Sequence, residues 1–156
     1  MKHSFYDISY FSVNGKLEAL LGYRKIFTIG RDIYLNENRE RTMVSDSEWR
    51  TFPNKNNVIG VIVNKVDKSL FQKIKEEEKI LIIDVSSLNA DFLKEARRLR
   101  GVMKNAIHFK LKIAIASFAK NEDYLLSKAQ LIEIAKFLGA GEEQAKEMLC
   151  SIGVEL

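Results

Sequence analysis

The stretch VIGVIVNKVDKSLFQKIKEEEKILIIDV, residues 58–85, decides the fold. Its two ends, Val58 to Val63 and Ile80 to Val85, are apolar on both faces, so side chains on either side of each strand must avoid water. Strands of that kind belong to parallel sheets covered on both sides by helices. Between them, Asp67 or Ser69 can cap a helix that runs through Glu77, because a short side-chain oxygen accepts from the free N–H groups of a first turn. A strand, a helix and a second strand joined by such short links make a right-handed crossover unit.

The same grammar extends in both directions. Ile113-Ala114-Ile115-Ala116-Ser117 is a further buried strand, with small residues where something packs close. Phe5 to Tyr10 and Ile26 to Ile29 supply earlier strands. Asn14 to Leu21 forms a short helix closed by Gly22, the residue that most easily turns left-handed. A longer helix starts at Asn89 and covers Asp91 to Lys110, with Phe92, Ala96, Leu99, Met103 and Ala106 recurring at three- and four-residue steps. Ser127 caps another helix to Phe137, stopped at Gly139, and Gly141 precedes a last helix through about Cys150. Gly30 to Asn57 is the least regular segment and is expected to be a long loop, with room for an extra strand at Arg31 to Leu35. It holds Arg31, Arg39, Arg41, Trp49, Arg50 and the only proline, Pro53.

Alternating strands and helices imply a single α/β domain over residues 1–156, either a reduced (β/α) barrel or an open parallel sheet flanked by helices. A complete eight-unit barrel uses about 250 residues, too many for this chain. The 156 residues are 46% hydrophobic, enough for a core without a metal or disulfide staple. The single cysteine, Cys150, cannot bridge internally and points to a reducing compartment; it is expected to be a small buried hydrophobe, with a reactive thiol as the alternative. Met1 to Phe11 lacks the pattern of a signal peptide. No apolar run reaches the roughly 18 residues of a membrane span. The expectation is a soluble cytoplasmic protein with no membrane partner.

The net charge of +4 conceals an uneven distribution. From Lys94 to Lys120 there are eight Lys/Arg and one acid, Glu95, a local net of +7; from Asn121 to Leu156 three bases face seven acids, a net of −4. Phosphate contacts respond to such local fields. Arg97, Arg100, Lys104 and His108 follow at steps of three, four and four, so they share one helix face opposite the apolar set. Lys94 and Arg98 widen that basic surface, and Lys120 and Lys128 flank a loop expected at the C-terminal edge of the sheet beside it. The RNA-binding residues expected from the sequence are therefore Lys94, Arg97, Arg98, Arg100, Lys104, Lys120 and Lys128. A solvated helix face is the bland alternative.

Catalytic constellations are scarce. The two histidines, His3 and His108, and one cysteine cannot supply the three or four clustered ligands of a zinc site. His3 and Asp7 bring two ligands near one strand, with no third imidazole. There is no G-x-S-x-G elbow, no histidine near Ser117 in sequence, and no glycine-rich phosphate loop. Asp84 stands at the C-terminal end of its strand, where α/β folds keep functional groups, but a lone carboxylate there is more often a cap. Neither a metal nor a cofactor is expected, and no catalysis from this chain alone.

The order of elements resembles the TIM-barrel protein subunit of archaeal and eukaryotic ribonuclease P, protein component 3 in archaea. Phe5-Tyr6-Asp7-Ile8, then Leu21-Gly22-Tyr23 and an apolar strand, is similar to that family's opening aspartate strand and L-G-Y turn. The strands Val58–Val63 and Ile80–Val85 match its middle units in spacing. Ile113 to Ser117, Leu131 to Gly139 and Glu143-Gln144-Ala145-Lys146 look like its closing strand and two helices. The family is normally longer, so β/α units would have been lost, and Leu126 to Ala129 replaces its usual Arg and Pro. Lys128 keeps the charge there. The resemblance implies an accessory subunit that supports a catalytic RNA in removing the 5′ leader of precursor tRNA. It also implies a hetero-oligomer with a small ferredoxin-like ribonuclease P subunit, component 2. The competing expectations are a degenerate metal-dependent PHP-type phosphoesterase with carboxylates at Asp7 and Asp84, and a protein-interaction module of barrel fold.

Overall fold

The computed structural model describes residues 3–155, and all its strand pairings are parallel. Strands β1 (Tyr6–Ser9) and β2 (Lys25–Thr28) form one pair. The other five, β3 (Tyr34–Leu35), β4 (Thr42–Ser45), β5 (Val58–Ile62), β6 (Ile80–Asp84) and β7 (Ile113–Ala116), lie side by side in sequence order. Single bridges join the two groups at both edges, Ile29 with Ile33 and Ser9 with Ala119. This is an α/β fold with a five-stranded parallel sheet flanked by helices.

Alternation along the strands explains why both faces are apolar. Val61, Val63, Leu81, Ile83, Ile113 and Ile115 pack with Leu70, Phe71 and Ile74 of α2 (Lys68–Glu76) and with Leu99 and Met103 of α3 (Phe92–His108). The intervening Ile62, Ile80, Ile82, Ala114 and Ala116 turn to the opposite side, where they meet Ile8, Phe27, Ile33 and Met43. The alanines of β7 are small because Phe118 and Ile152 fill the same inner cluster. Gly60 is small for a sharper reason. A Cβ there would stand 2.6 Å from Ile82 Cδ1 and 2.9 Å from the Ile80 carbonyl oxygen.

The helix ends follow the local chemistry. Asn14 caps α1 (Gly15–Leu21), and Gly22 closes it at φ 91°. Asp67 caps α2, accepting from the Leu70 N–H. The long helix α3 is capped by Asp91, two residues after the expected Asn89. The difference arises because Asp84 accepts from the Ser86 N–H and winds Val85–Asn89 into a separate 3-10 turn. Ser127 and Gln130 form a reciprocal capping box on α4 (Lys128–Phe137). Helix α5 (Glu142–Glu155) continues past Cys150, and Glu155 reaches Lys112 at 2.9 Å. Its Gly153 lies flat against Tyr6, whose ring atoms would be 2.1–2.5 Å from an added Cβ.

Two expectations need correction. The segment 30–57 is not one loop: it contributes β3, within the stretch suspected of being an extra strand, and β4, which was not expected. Thr42 to Ser45 is hidden in the sequence because charged Arg39, Glu40 and Arg41 precede it, yet Met43 and Val44 are fully buried. Phe92 was counted with the buried stripe of α3 but is half exposed, the stripe beginning at Ala96. No helix among the described residues is long and apolar enough to cross a membrane.

Candidate nucleic-acid interface

Helix α3 separates its side chains as the spacing requires. Ala96, Leu99, Val102, Met103 and Ala106 are buried, whereas Lys94, Arg97, Arg100, Lys104 and His108 are exposed. Among the described residues, none of Lys94, Arg97, Arg100 and Lys104 forms a salt bridge. Glu95, the sole acid in the basic block, does not neutralise this face because it is taken up by Arg98.

Arg98 therefore departs from the rest of the set. Its Nε donates to Glu95 at 2.6 Å, one Nη donates to the Asn64 carbonyl, and the other donates to Ser87 Oγ at 3.1 Å. With a side chain only 27% exposed, it ties α3 to the segments after β5 and β6. A guanidinium held on three sides is a strut, and it has little left to offer a phosphate. Arg100 is only partly committed: its Cζ lies 5.7 Å from the centre of the Phe137 ring, leaving the donors of the guanidinium edge open. Lys104 borders a shallow cavity of about 350 Å³ with Arg100, Gly101, Ile107, Leu138 and Gly139.

Lys120 and Lys128 are not neighbours. Lys120 follows the C-terminal end of β7 and lines a cavity of about 280 Å³ with Ser86, Asn89, Ala90, Phe118 and Tyr124. After Ala119 pairs with Ser9, the chain turns toward the opposite end of the strands. There the Tyr23 hydroxyl, just ahead of β2, donates to the Leu126 carbonyl at 2.8 Å. Lys128 consequently sits with its Nζ 4.8 Å from the centre of the Phe5 ring and its stem beside Gly22, at the strand N-termini. Seven expected contacts thus resolve into a four-residue face on α3, one strut, one cavity lysine and one lysine at the far end.

The carboxylates are both engaged. Asp7 is fully buried and accepts from the Ser117 N–H at 2.7 Å and the Ser117 hydroxyl at 2.5 Å. Burial pushes its carboxyl up to about 6, against the lowering effect of those bonds. Because Asp7 is on β1 and Ser117 follows β7, the pair latches the two strands beside the single Ser9–Ala119 bridge. Asp84 is also raised by burial, with Ser86, Arg98 and Lys120 pulling the other way. Asp7 thus spends one lone pair of each carboxylate oxygen on Ser117, and Asp84 accepts from the Ser86 N–H. His3 packs near Phe5, 6.2 Å between ring centres, and no three His, Cys, Asp or Glu side chains converge on one point among the described residues. Burial raises the half-buried Cys150 thiol, which makes it a weak nucleophile.

Phe92, Leu93 and Phe137 were not expected at this surface. All three are exposed beside the basic face. The signal in the sequence was the place of Phe92 and Leu93 in the first turn of α3, ahead of the buried stripe that begins at Ala96. No model of a known protein family matches the chain, and no curated protein matches it.

Proposed function

We propose that this chain binds RNA through the outer face of α3, as an accessory protein of a ribonuclease P type ribonucleoprotein acting on precursor tRNA. The observation that carries the reading is the row Arg97, Arg100 and Lys104, exposed on one face and free of salt bridges among the described residues, with Glu95, the one acid between Lys94 and Lys120, taken up by Arg98. Each phosphate neutralised there releases condensed counterions and favours the compact RNA. The chemistry of cleavage belongs to the RNA on this reading, which accords with Asp7 and Asp84 serving as latch and cap.

The resemblance to the barrel subunit gains support from the edge bridges. Ser9–Ala119 and Ile29–Ile33 connect β1 and β2 to both ends of the five-stranded sheet, as a reduced barrel of parallel strands requires. An inner cluster fed by Ile8, Phe27, Ile33, Met43, Ile62, Ile82 and Ala114 would serve as the packed interior of such a barrel. A small ferredoxin-like subunit would be the protein partner.

The test is binding of ribonuclease P RNA and precursor tRNA over a range of salt. The triple substitution Arg97→Glu, Arg100→Glu and Lys104→Glu should weaken binding and flatten its dependence on salt by about 0.7–0.9 logarithmic units per lost contact. Unchanged binding removes this face from the interface.

A further inference from the structure

Beside the basic row lies an aromatic surface that the electrostatic reading does not use. Phe92 is 52% exposed, Leu93 76% and Phe137 48%. The rings of Phe92 and Phe137 stack across α3 and α4, with centres 5.7 Å apart and planes 29° from parallel. Arg100 continues the stack, its guanidinium 5.7 Å from the centre of the Phe137 ring. Arg100 and Phe92 thus both lie against Phe137, and each ring remains about half open to water. Single exposed apolar residues are ordinary, but a contiguous aromatic set framed by cations is not.

Size and charge select the occupant. Phenylalanine side chains bury on the order of 150–250 Å² when fully covered, so two half-open rings and Leu93 present roughly 300 Å². A stable protein partner covers about 800 Å² on each side, far more than this patch. One or two nucleobases match it. Duplex RNA keeps its base faces stacked inside the helix, so only unpaired bases can lie on a side-chain ring. The phosphates on either side of such a base would fall toward Arg97, Arg100 and Lys104.

We propose that the Phe92–Phe137 stack is a platform for unpaired nucleotides, so that this face selects single-stranded segments of RNA over duplex. The inference rests on the RNA-binding reading above and adds to it the conformation of RNA that is bound. Phe92 and Phe137 take the base, and Arg97, Arg100 and Lys104 take the flanking phosphates.

Fluorescence anisotropy with a single-stranded oligoribonucleotide and a blunt duplex of equal length tests this on the full chain. The wild-type chain should prefer the single strand. Phe137→Leu and Phe92→Leu keep an apolar side chain but remove the flat face, and each should cost about 5- to 150-fold on the single strand, the range for one stacked base. Duplex affinity should stay within about two-fold, since phosphate contacts do not read conformation at the base. An oligonucleotide carrying 2-aminopurine should be quenched by the wild-type chain and not by Phe137→Leu. Urea unfolding of each variant confirms that the native state is retained. Equal affinity for single strand and duplex, or full binding by both leucine variants, overturns the platform while leaving RNA binding in place. If wild-type protein binds neither RNA, or if the patch proves to be covered by a protein subunit that excludes the oligonucleotide, the platform falls; only the first result also removes the RNA reading.

Discussion

Replacing Asp7 with asparagine keeps the shape of the buried latch and removes its charge. Oδ1 of the new side chain can accept from the Ser117 N–H, and the amide can donate to Ser117 Oγ. The serine hydroxyl then has the Ile8 carbonyl, 3.5 Å away, as acceptor. In the native state burial raises the carboxyl from 3.8 to about 6, so the folded chain holds this proton more tightly than the unfolded chain. Between about pH 4 and pH 6 the native state therefore binds more protons, and stability must fall as pH rises through that window and level off above it. A shift of about two units corresponds to about 3 kcal/mol for the fully buried group. Asp7→Asn should accordingly be up to about 3 kcal/mol more stable than wild type at pH 8 and lose the advantage toward pH 4. With a urea slope of about 1.5–2 kcal/mol/M, the midpoint should rise by up to about 1.5–2 M at pH 8. The buried Trp49 is a convenient fluorescent reporter. If the difference between variant and wild type does not change between pH 4 and pH 8, or if Asp7→Asn is the less stable protein at pH 8, the latch is not held by a desolvated carboxylate and the reasoning is refuted.

Neighbouring arginines on α3 should behave in opposite ways. Arg98→Ala breaks bonds to Glu95, Asn64 and Ser87 and should cost about 1–3 kcal/mol in urea unfolding, whereas Arg97→Ala should stay within about 0.5 kcal/mol and act on RNA affinity alone. Equal stabilities would deny the strut. Gly153→Ala drives a methyl group into the Tyr6 ring and should cost about 1–3 kcal/mol in thermal or urea unfolding. Combining it with Tyr6→Leu should be less damaging than the sum of the two single substitutions; simple additivity would show that the ring is not what α5 meets.

What could be read from residues alone was whatever depends on spacing and on caps. The runs at 58–63, 80–85 and 113–117 became β5, β6 and β7, because short runs rich in Val and Ile with apolar residues on both faces suit a strand covered twice. Asn14, Asp67 and Ser127 cap the helices their chemistry announces, and Gly22 and Gly139 end them with positive φ. The exposed row Arg97, Arg100, Lys104 and His108 follows from helical periodicity in the same way.

Tertiary structure decided everything that depends on contacts distant in the chain. Glu95 and Arg98 look like ordinary members of a charged helix until Asn64 and Ser87, from the segments after β5 and β6, arrive to hold the guanidinium. Lys120 and Lys128 are eight residues apart in sequence, yet the bond from Tyr23 to Leu126 sends the second to the far end of the strands. Asp7 and Ser117 are 110 residues apart, and only the meeting of β1 with the end of β7 turns a strand aspartate into a buried latch. Strand β4 escaped notice because the charged run Arg39 to Arg41 leads straight into it, while burial between β3 and β5 is what makes it a strand. Periodicity reports which side of an element faces the core; it carries no information about which distant group will be waiting there.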